Sequence, residues 1–514
     1  MLHSTNTRWM GGLFLIAACG LLVVHFFESI WTTSIDVALH YALVARLSEH
    51  WQLTTNNDPS LGEMNTYPRY AHRLGAIVGN LIGSPFSGME LVALISLTAV
   101  WSGFAFLFLA LPRRMLWIAS GAVVALLLVN RFFIHLELFG SELIGNYFFP
   151  QIVAQAIAVT LMAVVLWMER AAISPAVGYG ILGCFVPILQ QVHLLPAVEV
   201  LGTLAVLVAL DALVAGKQNR RNVFLFGLFC IAAAIFFTVQ SSAFGIMIVN
   251  ASSGAMKLNY TPTFGALAIE CIIVNVLSGR LIWVWQRLDS SQTRMNLLTF
   301  KYLGIFGMAV ALMCLVQVVM FKFGYGSLYA CQKFAFGVNT ALVLELPLLF
   351  LPSLDARFPS ISQPNGGQRA WLSRQMYPGL FVLVSVLSIL PAPSSKIIAL
   401  SDIVSVEHFI KEYGQPSSVS AKYDYGIGLF PGHRNFDYLI TIGALKAPRV
   451  DNADDFINGR RPSKPRKIGR IFTRTGSTPW DIPGCRQVSQ DGLVILDGQC
   501  VLSSMTITGA RTGP

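Results

Sequence analysis

Apolar stretches long enough to cross a membrane recur along the first 392 residues of this chain. A helix needs about 20 mostly apolar residues to span the hydrocarbon core of a bilayer. The pattern therefore predicts about eleven transmembrane helices, two of them weakly defined. They fall at 9–27, 89–111, 115–131, 150–168, 175–192, 196–215, 223–240, 264–283, 302–321, 335–352 and 377–392.

The composition agrees with a membrane protein. The chain is 54% hydrophobic and 12% charged, and its mean hydropathy is +0.61. Soluble domains carry roughly twice that share of charged residues, about 25%. We therefore expect residues 1–392 to form an all-α polytopic membrane module.

Basic residues give this module an orientation. Arginine and lysine gather in alternate loops, and short loops rich in them lie on the cytoplasmic side. The N-terminus is then cytoplasmic, and eleven spans place the C-terminus outside the cytoplasm. The predicted outer loops are 28–88, 132–149, 241–263 and 322–334.

Residues 393–514 are polar and turn-rich, which predicts a small extracytoplasmic α+β domain. A helix is expected at 403–413 and strands at 468–474 and 493–496, with a hairpin turn at Asp491-Gly492. Cys485 and Cys500 are the only cysteines in this tail, and we expect them to form a disulfide. The basic segment 460–474 is either a solvated loop or a patch that faces anions.

Ionisable and aromatic residues gather in the predicted outer loops. Asp36 and His40 are four residues apart, so they share one helix face just outside the first span. Aromatic faces suit sugar rings, and cations suit phosphate. The candidates are Asp36, His40, Tyr67, Arg69, Arg73, Glu142, Tyr147, His193, Lys322 and Lys333.

Together these features resemble the GT-C superfamily of membrane glycosyltransferases. The resemblance rests on an acid soon after the first span, a D-x-x-x-H-Y helix, and a Tyr-Pro segment leading into a second short helix at 67–82. It also rests on the Tyr-Phe-Phe-Pro-Gln entry to a span at 147–151 and the His-Leu-x-Pro break at 193–196. An extracytoplasmic domain after the last span completes the pattern.

The resemblance implies an inverting transfer of a sugar from a polyprenyl-phosphate donor, on the outer face of a bacterial inner membrane. Asp36 is expected to act as general base on the acceptor hydroxyl, and His40 and Glu142 are further catalytic candidates. Cations would stabilise the leaving phosphate. Donor-phosphate and substrate candidates are Arg69, Arg73, His193, Lys322, Lys333, Tyr67 and Tyr147.

The partners implied are the polyprenyl-phosphate-linked sugar, a glycan or lipid-linked acceptor and the lipid bilayer, without nucleic acid. No cofactor is expected, and a divalent metal stays open. The sequence contains no G-x-x-x-x-G-K-[ST] motif, so it indicates no nucleotide-powered step.

Other readings of the same residues stay open. Asp36 could instead cap its helix or pair with Arg46 or Arg69, and the histidines could be structural. The chain could also be an O-antigen polymerase or ligase, although the exported tail argues against that class. A non-enzymatic flippase or transporter of lipid-linked saccharide would predict cations inside the bundle, whereas this sequence places its basic residues in loops.

Overall fold

The computed structural model of the protein describes thirteen stretches of the chain. They are residues 2–27, 36–51, 58, 61–241, 244, 264–288, 291–357, 368–390, 400–414, 425–430, 434–446, 468–477 and 480–508. Most of the predicted outer loop 241–263 lies outside the described residues.

The described part of the chain is mostly helical. In chain order its α-helices are α1 Leu2–Phe26, α2 Asp36–Glu49, α3 Tyr70–Ile82, α4 Pro85–Phe108, α5 Arg113–Val129, α6 Ser141–Gly145, α7 Phe149–Arg170, α8 Pro175–Gln190, α9 Leu194–Val214, α10 Lys217–Val239, α11 Phe264–Gln286, α12 Ser291–Asn296, α13 Leu298–Lys322, α14 Leu328–Arg357, α15 Gln368–Ile389, α16 Leu400–Tyr413, α17 Arg434–Tyr438 and α18 Gly498–Thr508. The strands are β1 Tyr425–Gly428, β2 Ile468–Arg474, β3 Arg486–Gln490 and β4 Leu493–Asp497.

Each of the eleven apolar stretches of the sequence falls on one of these helices. Within the described residues, eight helices are long and apolar enough to cross a membrane. The apolar parts of α1, α8 and α15 are shorter, at Gly11–Phe26, Pro175–Gln190 and Gln375–Ile389. The membrane class and the helical fold are thereby confirmed, while the count of eleven spans and the side of each terminus stay predictions.

The chain forms two compact units. One, here called the helical unit, comprises Met1–Phe26 and Ala93–Ala392. The other, here called the mixed unit, comprises Phe27–Val92 and Pro393–Pro514. The sequence places the first outer loop with the membrane module, whereas the structure groups that loop with the C-terminal tail.

Two buried ionisable side chains of the helical unit, Lys301 and Glu345, have polar partners, which offset part of the cost of burying charge in an apolar interior. The sequence places Lys301 in a loop, but it lies buried in the first turn of α13. Its ammonium is 2.9 Å from a Glu169 oxygen and 2.7 Å from an Asp211 oxygen. Glu345 of α14 accepts a hydrogen bond from Ser278 of α11 at 2.9 Å, so this acid is paired with a polar group of a neighbouring helix.

The mixed unit contains a four-stranded sheet in the order β1-β2-β4-β3. β1 and β2 are parallel, and β4 is antiparallel to both β2 and β3. The predicted hairpin between β3 and β4 is confirmed, because Asp491 and Gly492 both have a positive φ, of 49° and 77°. A positive φ at both central residues is typical of the type I′ turn, whose twist matches that of the two strands of a hairpin.

The predicted disulfide is also confirmed. Cys485 is bonded to Cys500 with a Cα–Cα distance of 5.5 Å. Cys485 is buried in the apolar cluster beneath the sheet, among side chains that include Ile471, Val494 and Leu496. The bond thus ties the start of β3 to α18, which follows β4.

Helix α2 packs against the tail through Tyr41 and Glu407. The Tyr41 hydroxyl donates to a Glu407 carboxylate oxygen at 2.6 Å, across a sequence separation of 366 residues. Glu407 also accepts from the Ser84 hydroxyl and from the Phe86 backbone N–H, the latter at 3.2 Å. A Cβ at Gly443 would come within 2.1 Å of the Tyr41 ring, so only glycine permits this close approach.

Candidate functional site

Helix α2 begins at Asp36, as expected for the D-x-x-x-H-Y segment. The Asp36 side chain is half-buried, and Asp36 makes at least one interaction with another residue of the chain. His40 lies one turn further along the same face and is buried. The structure therefore places the two residues on a helix, and Asp36 as general base stays a prediction.

His40 forms a pair with a second buried histidine. His40 Nδ1 is 2.9 Å from His72 Nε2, and His72 Nδ1 is 3.0 Å from the carbonyl oxygen of Pro68. A carbonyl only accepts, so we assign the hydrogen of His72 to Nδ1. Burial lowers the pKa of His72 to about 3, and this neutral ring accepts the Nδ1–H of His40.

This chain of hydrogen bonds fixes the tautomer of His40. When His40 is neutral, its Nδ1 carries the hydrogen and its Nε2 carries the lone pair, the form that can take up a proton. The half-buried ring of Tyr67 packs edge-on against both histidines, with centroid distances of 5.6 Å. His40, Tyr67 and His72 thus form one contiguous cluster.

Arg69 is the N-cap residue of α3, and Arg73 lies in the first turn of that helix. Arg69 donates to the backbone carbonyl of Asn65 at 3.0 Å, and partial burial together with nearby Arg73 lowers its pKa. The guanidinium carbon of Arg73 lies 5.3 Å from the ring centroid of Trp51. Both cations are therefore held in the mixed unit near the start of α3, and their role in phosphate binding stays a prediction.

Helix α3 is amphipathic, with its apolar stripe exposed. Leu74, Ile77 and Leu81 are exposed at helical spacing, whereas Ala71, His72, Gly75, Ala76 and Gly79 are buried on the other face. A helix with an exposed apolar face is typical of one that lies in a membrane surface. The second short helix that the sequence predicts at 67–82 is confirmed as α3, Tyr70–Ile82.

The remaining candidates lie in the helical unit. Glu142 is fully buried in α6, where one carboxylate oxygen accepts the Gly140 backbone N–H at 2.7 Å. Its other oxygen, Oε1, has no hydrogen-bond partner among the described residues. Burial raises the pKa of Glu142 to about 8, with a smaller contribution from the carboxylates of Glu137 and Glu199.

His193 and Lys333 form part of the same unit. His193 caps α9, and its Nδ1 accepts the backbone N–H of Leu195 at 3.3 Å. Burial lowers its pKa well below the usual value, and the charge of Lys333 lowers it further. The Lys333 ammonium lies 4.7 Å from the ring centroid of Phe148 and 4.4 Å from that of Tyr329.

Tyr147 and Lys322 complete the candidates. Tyr147 is fully buried, has a positive φ of 56°, and stacks on Phe149 at a centroid distance of 6.4 Å. A positive φ in a bulky residue is uncommon and marks a constrained backbone. Lys322 is exposed at the end of α13. The candidates therefore divide into one group in each compact unit.

Sequence reasoning missed two buried carboxylates. Glu199 lies inside the span of α9, where it accepts from Gln155 at 3.0 Å. Its Oε1 and both amide atoms of the buried Gln151 have no partner in the described part of the protein. An acid inside an apolar span is a signal that could have identified Glu199. Glu407 gives no such signal, because it lies in an ordinary polar segment.

Comparison with known proteins assigns no family. No protein-family model matches the chain, and no curated protein is found to be similar to it. Within the described ranges, no group of three or more histidine, cysteine, aspartate or glutamate side chains could hold a metal ion. The functional interpretation therefore rests on the residues and geometry of this chain alone.

Proposed function

We propose that the protein is an inverting membrane glycosyltransferase. In this proposal it moves a sugar from a polyprenyl-phosphate donor to a cell-surface glycan or glycolipid acceptor, on the extracytoplasmic face of the membrane. The observation that carries the proposal is the arrangement of the first outer loop. A titratable cluster on α2 lies in the same unit as an exposed apolar helix, α3.

This arrangement suits a substrate whose lipid part stays in the bilayer. The exposed stripe of Leu74, Ile77 and Leu81 would bury itself in the headgroup region. Such a position brings α3, and with it His72, to the level at which a polyprenyl phosphate presents its sugar. Arg69 and Arg73 near the start of the helix then supply positive charge for the donor phosphate.

One carboxylate is enough for the proposed chemistry. The acceptor hydroxyl loses its proton to Asp36, and its oxygen bonds to the anomeric carbon from the face opposite the phosphate. The bond to phosphate breaks, and the polyprenyl phosphate leaves with the electron pair. Glycoside hydrolysis needs a second carboxylic acid for the leaving oxygen, whereas here cations stabilise a leaving group that is already acidic.

The decisive substitution is Asp36→Asn, measured in the full chain reconstituted in lipid vesicles. A panel of synthetic polyprenyl-phosphate sugars is supplied with acceptor glycans, and release of polyprenyl phosphate is followed. Loss of a general base costs typically 10²–10⁴-fold in rate, so we expect a decrease of that order with unchanged thermal stability.

Asp402→Asn is a matched control in the same unit. Asp402 forms a surface ion pair with Arg474 at 3.2 Å, and both side chains are well exposed, so its loss should change little. A fully active Asp36→Asn protein would contradict the assigned base and make Glu142 the next carboxylate to test. A wild-type protein that releases polyprenyl phosphate from no donor of the panel would contradict the class.

A further inference from the structure

Three cysteines outside the tail come together in the helical unit. Cys271 lies on α11, Cys314 on α13 and Cys331 on α14, and all three are fully buried. The Cys314 thiol is within hydrogen-bonding reach of the Cys271 thiol. Its Sγ is also 3.9 Å from the backbone carbonyl oxygen of Cys331. The candidate functional site uses none of these side chains.

Helices α11 and α13 approach each other closely through glycines. A Cβ at Gly307 of α13 would come within 2.6 Å of the Ser278 hydroxyl oxygen on α11. A Cβ at Gly304, one turn earlier on α13, would lie 3.4 Å from the Cβ of Leu281, which is nearly one turn later on α11. The two helices are therefore antiparallel. Helix axes usually lie about 8–10 Å apart, and small residues let two backbones come closer.

The register of this contact places two of the cysteines opposite each other. Cys271 precedes Ser278 by seven residues, and Cys314 follows Gly307 by seven. Seven residues are about two helical turns, so each cysteine lies on the same face as the close contact. Because the helices are antiparallel, both shifts run in the same direction along the pair. The backbone geometry thus agrees with the contact between the thiols.

This pair lies within two helices that are long and apolar enough to cross a membrane. Cys271 is about two turns from the start of α11. Its sequence neighbours Ile272 and Ile273 are exposed, so a single layer of side chains separates the thiol from lipid. The hydrocarbon core contains no water, so an oxidant that dissolves in lipid reaches this place far more readily than one that dissolves only in water.

We propose that Cys271 and Cys314 are an oxidation site, at which a lipid-soluble copper(II) complex converts the two thiols into a disulfide. Each thiol gives up one proton and one electron, and two copper(II) ions take up the electrons and become copper(I). The new bond joins the two sulfur atoms and ties α11 to α13. The untreated protein keeps both thiols, and the site does not depend on the proposed glycosyltransferase activity.

The test needs a reference protein without a competing pair of cysteines. A Cβ at Gly183 of α8 would lie 3.5 Å from the Cβ of Cys230 on α10, and Cys184 is the next residue of α8. Cys184→Ala removes this second pair and serves as the reference protein. Its remaining free cysteines are Cys19, Cys230, Cys271, Cys314 and Cys331.

The reference protein in lipid vesicles is treated with copper(II) phenanthroline, denatured without reductant and alkylated. We expect five labelled cysteines before treatment and three after it, with all seven labelled once the protein is reduced. Peptide mapping should find Cys271 joined to Cys314. Treatment with glutathione disulfide, which dissolves in water and not in lipid, should leave five labels.

Two variants of the reference protein identify the partners. Cys271→Ala should show four labelled cysteines both before and after copper, whereas the matched control Cys331→Ala should fall from four to two. Five labels in the copper-treated reference protein, or a loss of two labels in Cys271→Ala, would overturn the pairing. An equal effect of glutathione disulfide would overturn access through lipid. The peptide map needs neither variant, so it decides the pairing even where a substitution prevents folding.

Discussion

Truncation of Glu407 to alanine should destabilise the mixed unit strongly. The Glu407 carboxylate is buried and accepts from the Tyr41 hydroxyl at 2.6 Å, from the Ser84 hydroxyl and from the Phe86 N–H. A buried donor that loses its acceptor costs about 1–3 kcal/mol. Three such donors give about 3–9 kcal/mol, a large share of the roughly 5–15 kcal/mol by which a domain is stable.

Heat unfolding in detergent, followed by tryptophan fluorescence, measures this effect. For a unit of this size, 1 kcal/mol corresponds to roughly 2–4 °C in the melting temperature, so we expect a decrease of about 6–36 °C. Glu407→Gln keeps the shape and one acceptor oxygen and should cost less. Glu412→Ala, an exposed acid on the same helix, is the control and should shift the midpoint by no more than a degree or two.

The same residue should make stability depend on pH. Burial raises the pKa of Glu407 above its usual 4.5, so the folded protein holds this proton more tightly than the unfolded chain does. The stabilisation is present below pH 4.5 and is lost as the pH rises through the raised value. Glu407→Gln should remove that dependence. An alanine variant that melts like Glu412→Ala would refute the reasoning from unsatisfied donors.

Two further predictions concern the same unit. Alkylation of the denatured, unreduced protein should label six of its eight cysteines, because Cys485 and Cys500 are bonded to each other. After reduction all eight should be labelled. Eight labelled cysteines without reductant would exclude the bond. Since burial lowers the pKa of His72 from 6.5 to about 3, folding stability should fall by about 2 kcal/mol between pH 7 and pH 5, through the stronger protonation of the unfolded state. The melting temperature of His72→Gln should change less between pH 7 and pH 5 than that of the wild type. An equal change in both proteins would contradict a buried neutral His72.

The sequence predicted the parts of the fold that are encoded locally. Apolar stretches such as 150–168 and 302–321 predicted helices because a bilayer-spanning segment must satisfy its own backbone hydrogen bonds. The hairpin at Asp491-Gly492 followed from turn chemistry, and the disulfide from the pairing of two isolated cysteines. All three signals are local in the sequence, and the longest-range of the paired residues, Cys485 and Cys500, are only 15 residues apart.

The sequence could not predict contacts that join distant segments. The Tyr41–Glu407 hydrogen bond spans 366 residues, and no local pattern marks Glu407 as its partner. The pairing of His40 with His72 likewise depends on how α2 meets α3. Lys301 was expected in a loop because a charge suggests water, but Glu169 and Asp211 provide buried partners that only the folded chain reveals.

The mixed unit is built from two segments that are 300 residues apart in the chain, since Phe27–Val92 ends long before Pro393 begins. During synthesis the first segment must therefore wait for the second. At about 5–20 residues per second, that interval lasts roughly 15–60 seconds. Throughout it, Tyr41 lacks Glu407 and the surface of α2 that faces the tail is uncovered. Biogenesis of this protein therefore requires a factor that shields the loop, or a loop that tolerates a long exposure without aggregating.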